Sequence, residues 1–115
     1  MKPYRHFFPV LFAVLSAPAF AADVEAGLLA VKALGGVNGQ ALACAETRVA
    51  ARAKQLMLAH APKTQRFGTA YEEATQEAFL AQTRAGGTCP DAAQLTDRLN
   101  QLALQLADSL PVAAK

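Results

Sequence analysis

The chain has 115 residues, of which 53% are hydrophobic and only 7% aromatic, and its formal net charge is +2. This length fits one small domain, and the charge is too evenly balanced for the clustered basic face that nucleic-acid binding needs. Alanine and leucine dominate the composition, which favours helix.

The start of the chain has the pattern of a secretory signal peptide over residues 1–21. Lys2 and Arg5 supply positive charge, an apolar run follows, and Ala19 and Ala21 are the small residues that a signal peptidase recognises. The apolar run is shorter than the roughly 20 residues that a membrane-spanning helix needs. We therefore expect cleavage after Ala21 and a periplasmic or secreted protein that touches the membrane only through this transient segment.

Cleavage would also change the charge, because Lys2 and Arg5 are lost with the signal peptide. The whole chain has 11 Lys and Arg residues against 9 Asp and Glu residues, so the two signs balance in the rest of the chain. We expect a single helical domain over residues 22–110 and a frayed C-terminal tail over residues 111–115. A domain of this size often needs a covalent link, because its core is small.

Glycine and proline divide the domain into four predicted helices. Their approximate bounds are 23–34, 39–60, 64–85 and 88–109. Gly35-Gly36 and Gly86-Gly87 are predicted to end the first and third helices, and Asn38 is the predicted N-cap of the second. Short connections make successive helices antiparallel, so the sequence predicts an all-α fold, a small three- to four-helix antiparallel bundle.

Apolar residues recur on one face of the third and fourth predicted helices. The stripe of the third helix includes Phe67, Tyr71, Ala74 and Ala78. The stripe of the fourth includes Ala92, Leu95, Leu99, Leu102 and Leu106. The fourth helix is predicted to begin with a capping box of Thr88 and Asp91.

The second and third predicted helices carry charges of opposite sign. The cations of the second helix and the acids of the third are Arg48, Arg52, Lys54, Glu72, Glu73 and Glu77. Antiparallel packing of these two helices would pair the charges across a hairpin, each exposed pair contributing less than about 1 kcal/mol. The alternative is that the two helix faces are simply solvated.

The two cysteines, Cys44 and Cys89, are predicted to form one disulfide that closes the base of this hairpin. Disulfides persist in exported proteins, and an even count in a small domain indicates a bridge. The chain has no Cys-x-x-Cys redox motif and, after cleavage, too few Cys and His residues for a zinc site. A catalytic pair of Cys44 with His60 would be separated by most of a helix. We therefore expect no metal and no cofactor.

The turn between the second and third predicted helices is the candidate binding site. His60 ends one helix, and Lys63, Thr64 and Arg66 surround the start of the next. The backbone N–H groups and the dipole of a helix N-terminus attract anions, and two cations and a hydroxyl would reinforce this. We expect this turn to bind an anion or an acidic group of a partner. The alternative is an ordinary polar turn whose side chains cap the helices.

Several apolar residues point away from the predicted core stripes, namely Leu58, Phe79, Leu80 and Leu104. Packing against the first helix would bury them. If they stay exposed, they would mark a protein-interaction surface.

The sequence predicts that the protein is not an enzyme, because it contains no hydrolase motif and no phosphate-binding loop. It indicates a small periplasmic, non-enzymatic protein that binds another envelope protein, of the immunity or inhibitor, chaperone or accessory-subunit type. The alternative function is binding of a small ligand, an anion or a metal at the turn between the second and third helices.

The signal-peptide interpretation predicts that the protein recovered from the cell envelope begins at Ala22. Intact-mass measurement of the protein from an envelope fraction tests this directly. An uncleaved chain that remains in the inner membrane would contradict it.

Overall fold

The computed structural model describes the backbone of residues 19–112 and the side chains of residues 24–112. Within these residues the chain is all α, as predicted. The four helices are α1 Ala19–Ala43, α2 Thr47–His60, α3 Gln65–Arg84 and α4 Ala92–Ser109. Most of the predicted signal peptide, up to residue 18, and the end of the predicted tail, from residue 113, lie outside the described residues.

The first helix, α1, continues without interruption through Gly35, Gly36 and Asn38. The predicted break at Gly35-Gly36 and the predicted N-cap at Asn38 are therefore wrong. A glycine inside a helix costs about 1 kcal/mol relative to alanine, but tertiary packing of this segment outweighs that local cost. Asn38 is buried, and its Nδ2 donates a hydrogen bond to Thr75 Oγ1 of α3 at 3.2 Å.

The central helix of the bundle is α1, because it packs on each of the other three. In the described part of the chain, α2 and α4 also pack on each other, whereas α3 packs on α1 alone. The predicted hairpin of the second helix on the third is therefore wrong, since α1 separates α2 from α3. Arg66 near the start of α3 contacts Glu25 of α1, and farther along both helices Gly39 lies against Thr75 and Ala78, so α3 runs parallel to α1.

The backbones of α1 and α3 approach closely at Gly35 and Gly39, which share one face of α1 because they are four residues apart. A Cβ atom on Gly39 would overlap the Thr75 carbonyl oxygen and lie 2.8 Å from Ala78 Cβ. One on Gly35 would lie 2.6 Å from the Tyr71 carbonyl oxygen. This contact, the α1–α3 seam, therefore has room only for glycine at both positions.

The core is built on α1 and on the leucine stripe predicted for the fourth helix, and Phe67 and Ala70 of α3 also belong to it. The largest fully buried side chains are Leu34, Leu95, Leu99, Leu106, Val31 and Val37. Ala92, the first residue of the predicted stripe, is exposed. Burying each of these large apolar side chains stabilises the fold by about 1.5–3 kcal/mol, so the contact of α4 with α1 is a main source of stability.

Local signals fix the ends of α3 and α4. The Thr64 hydroxyl accepts a hydrogen bond from a backbone N–H in the first turn of α3, so Thr64 caps that helix. Gly86, with a φ of 74°, follows the end of α3 in the left-handed region that glycine tolerates. The capping box of α4 consists of Asp91 and Gln94, so the prediction of Thr88 with Asp91 is wrong by one turn.

Cys44 and Cys89 form the predicted disulfide, with their Cα atoms 5.8 Å apart. Cys44 directly follows α1 and Cys89 lies in the loop before α4, so the predicted positions inside the second and fourth helices are corrected. The bond joins the α1–α2 turn to the α3–α4 loop. By the loop-entropy argument, a bond between residues 45 positions apart contributes on the order of 4 kcal/mol.

The α1–α3 seam predicts opposite effects for alanine at two glycines of α1. Gly39→Ala should lower the free energy of unfolding by about 1–3 kcal/mol, because the methyl group meets backbone atoms of α3. Gly36→Ala is the matched control, since its Cβ would meet nothing within 4 Å. It should raise stability by up to about 1 kcal/mol through helix propensity. Urea unfolding of the oxidised proteins measures both changes. Equal changes in the free energy of unfolding for Gly39→Ala and Gly36→Ala would contradict the close contact of the two backbones at Gly39.

Candidate functional site

The predicted binding turn connects α2 to α3, and His60 is its first residue. The Nδ1 atom of His60 lies 2.7 Å from the Leu110 carbonyl oxygen. Because a carbonyl oxygen only accepts, Nδ1 is the ring nitrogen that carries the proton and donates. His60 therefore fastens the end of α2 to the residue that follows α4.

The other three predicted site residues are also bonded within the chain. Lys63 Nζ donates to a carbonyl oxygen of the last turn of α2 at 2.7 Å. Arg66 Nη2 forms an exposed ion pair with Glu25 Oε1 at 3.1 Å, and Thr64 caps α3. His60 and Lys63 line a shallow pocket of about 410 Å³, but Thr64 and Arg66 do not. The four side chains are thus not gathered around one point.

Of the two alternatives for the charges of the second and third helices, pairing across a hairpin does not occur. The pair of Arg66 with Glu25 is the one salt bridge between described residues. The cations of α2 and the central acids of α3 are all exposed, namely Arg48, Arg52, Lys54, Glu72, Glu73 and Glu77. Because α1 separates the two helices, their charged faces are both solvated.

Acidic side chains form no enclosed site in the part of the chain that the structure describes. Glu73 and Glu77 line an open groove together with Lys32. No group of three or more His, Cys, Asp and Glu residues among residues 24–112 is placed to hold a metal ion. No helix in the described range is both long enough and apolar enough to cross a membrane.

The surplus apolar residues are exposed, so of the two alternatives left open by the sequence, packing against the first helix does not occur. Leu58 and Leu104 are 56% and 71% exposed, and Phe79 and Leu80 are 39% and 40% exposed. These side chains lie on the outer faces of α2, α3 and α4, whose inner faces pack on α1. Leu42 of α1 is exposed as well.

An apolar groove runs between α1 and α3 beside the α1–α3 seam. It holds about 300 Å³ and is lined by Asn38, Leu42, Tyr71, Glu72, Thr75, Gln76 and Phe79. We call it the Leu42–Phe79 groove, after its two exposed large apolar side chains. Glu72 is the one charged residue of its lining.

Tyr71 lines this groove, and its hydroxyl group makes no hydrogen bond within the described chain. The hydroxyl oxygen is buried and has no hydrogen-bond partner among the described residues. Desolvation by burial raises the pKa of Tyr71 from 10.0 to about 12. The phenol is therefore neutral at ordinary pH, with both a donor and an acceptor unused.

The sequence did not reveal the groove, because helical spacing places Tyr71 on the core stripe of the third helix. That prediction is partly right, since Tyr71 is half-buried and packs against the core. A signal was nevertheless present. A buried tyrosine usually needs a partner for its hydroxyl, and the same stripe otherwise holds only phenylalanine and alanine.

No protein family, curated protein or solved structure matches this chain in comparisons with known proteins. We therefore infer the function from the geometry of its surface and from the residues that form it.

Burial of Tyr71 predicts a pH effect on stability. In a chain that begins at Ala22, Tyr71 is the only tyrosine, so tyrosinate absorbance reports on it alone. The ionisation midpoint should lie near pH 12 in the folded protein and near pH 10 in denaturant. Because the folded state keeps this proton to higher pH, its contribution is fully present below about pH 10 and is lost as the pH rises to about 12.

Tyr71→Phe is the control for this effect. It should abolish the part of the alkaline loss that comes from Tyr71. At neutral pH it should leave stability unchanged or slightly higher, because it removes an unpartnered buried hydroxyl. A folded-state midpoint near pH 10 in the parent chain would show that the hydroxyl is solvated.

Proposed function

We propose that this protein is a small periplasmic, non-enzymatic protein that binds another protein of the cell envelope through the Leu42–Phe79 groove. The observation that carries the proposal is the exposure of Leu42 and Phe79 beside the buried, unpartnered hydroxyl of Tyr71. Exposed apolar surface that is contiguous marks interaction sites. The signal-peptide pattern of residues 1–21 supports the periplasmic location. A role as an immunity or inhibitor protein, a chaperone or an accessory subunit would fit this surface.

The groove favours a partner segment with a particular chemistry. An apolar side chain that fills a pocket contributes much of the binding free energy of an interface, and Leu42 and Phe79 offer it apolar contact. The Tyr71 hydroxyl oxygen is buried, so a partner N–H or C=O would satisfy it only when the side chains that cover it move aside on binding. Glu72 at the lining favours a Lys or Arg of the partner over an acid.

The turn between α2 and α3 supports the alternative function less well. An anion or small ligand there would compete with the contacts that His60, Lys63 and Arg66 already make. Each intramolecular contact that the ligand replaces reduces the net free energy of binding, because one hydrogen bond is lost for each one formed. The groove requires no such exchange, which is why we favour protein binding there.

Phe79→Ser tests the groove, and Leu104→Ser is the matched control. Both replace an exposed large apolar residue on a helix, but Leu104 lies on α4 and does not line the groove. In pull-downs of the tagged protein from envelope extracts, Phe79→Ser should reduce recovery of the partner at least about tenfold, the equivalent of about 1.4 kcal/mol. Leu104→Ser should leave recovery unchanged. Quantitative mass spectrometry measures the recovered partner.

Thermal unfolding separates loss of binding from loss of folding. Both variants should melt within a few degrees of the parent protein, because both side chains are exposed. The proposal fails if a partner is recovered equally well with Phe79→Ser and with the parent chain.

A further inference from the structure

The outer faces of α2 and α3 carry complementary charges that are not used within the described chain. α2 presents Arg48, Arg52 and Lys54, and α3 presents Glu72 and Glu73, all exposed. None of them takes part in a salt bridge between described residues. α1 separates the two helices, so these charges do not meet inside one molecule.

Each charged face also includes exposed apolar side chains at matching helical spacing. On α2, Leu58 is exposed and lies one turn after Lys54. On α3, Phe79 and Leu80 are exposed, and each lies seven residues, or two turns, after one of the acids Glu72 and Glu73. Residues at these spacings share a side of a helix. Arg48 and Arg52 lie on the neighbouring part of the exposed surface of α2, and on α3 the exposed cation Arg84 follows Leu80 by one turn. Each exposed surface therefore combines apolar side chains with a net charge, positive on α2 and negative on α3, where Glu72, Glu73 and Glu77 outnumber Arg84.

We propose that the α2 face of one copy of this protein docks on the α3 face of a second copy. The occupant is a second copy, because the chain itself carries both complementary halves of the contact. Opposite charges on approaching surfaces speed and orient association. The apolar residues Leu58, Phe79 and Leu80 lose solvent contact when the two faces meet.

This self-association goes beyond the proposed binding of another protein and rests on a different observation, the charges of α2 and α3. The two contacts overlap at Phe79 and Glu72, which belong both to the α3 face and to the Leu42–Phe79 groove. Self-association and partner binding therefore compete. In the absence of its partner, the protein covers its own apolar surface with a second copy.

The contact is weak and sensitive to salt, because its charges are exposed and screened. Ion pairs in solvent are attenuated when the Debye length falls, from about 10 Å at 0.1 M salt to about 3 Å at 1 M. The self-dissociation constant should therefore rise at least about tenfold between low salt and about 0.5 M salt. Sedimentation velocity of the full exported protein over a concentration series measures it.

A charge exchange tests the contact. One variant combines Arg48→Glu with Arg52→Glu, and the other combines Glu72→Lys with Glu73→Lys. Each variant alone should be monomeric at concentrations where the parent protein associates, because its altered face meets a face of like sign. Mixed in equal amounts, the two variants should associate, because the reversed faces are again complementary. Circular dichroism of each variant checks that its helices are intact.

A control with the same change in net charge combines Arg98→Glu, Asn100→Glu and Gln101→Glu, three exposed positions on α4, which belongs to neither face. Its self-association should match that of the parent protein. A parent protein that stays monomeric at low salt, or variants that fail to associate when mixed, would overturn the proposal. Recovery of an envelope partner in the Phe79→Ser experiment is measured separately. The result of the self-association experiment therefore does not decide the proposed function.

Discussion

The fold depends on a contact in which two helix backbones meet with no side chain between them. At Gly35 and Gly39 the backbone of α1 lies against the backbone of α3, and a methyl group at either position would collide with a carbonyl oxygen of α3. α3 is thereby attached to α1 alone, while α2 and α4 pack on α1 and on each other. The charged faces of α2 and α3 consequently do not contact each other within one molecule, and both remain in solvent.

The helix with the fewest neighbours is also the one that the disulfide secures. α3 packs on α1 alone in the described residues, and the seam buries small groups that contribute little apolar area. Beyond its last turn, the bond from Cys89 to Cys44 ties the following loop to the end of α1. The buried side chain of Gln82 strengthens the same end, because it donates to the Thr88 carbonyl oxygen at 2.7 Å. A covalent link therefore secures the one helix that packs on a single neighbour.

The sequence predicted those features that depend on local spacing and composition. The leucine stripe from Leu95 to Leu106, the end of α3 at Gly86-Gly87 and the pairing of the two cysteines are all present. The break at Gly35-Gly36 was wrong because a glycine pair has two uses, as a helix end and as a site of close approach, and only the neighbouring helix decides between them. Hydrophobic periodicity likewise predicts which face of each helix is buried, but it does not predict which helices pack together.

The same limitation explains why the binding turn was easier to see in the sequence than the groove. Lys63, Thr64 and Arg66 are close in sequence, but in the folded chain each has an intramolecular partner. Tyr71 and Leu42 are distant in sequence and meet only because the seam draws α3 onto α1. Leu42 and Phe79 are exposed and apolar, so a partner that covers them displaces no hydrogen bond of this chain. On that comparison the groove, rather than the turn, is the surface where binding another protein costs least.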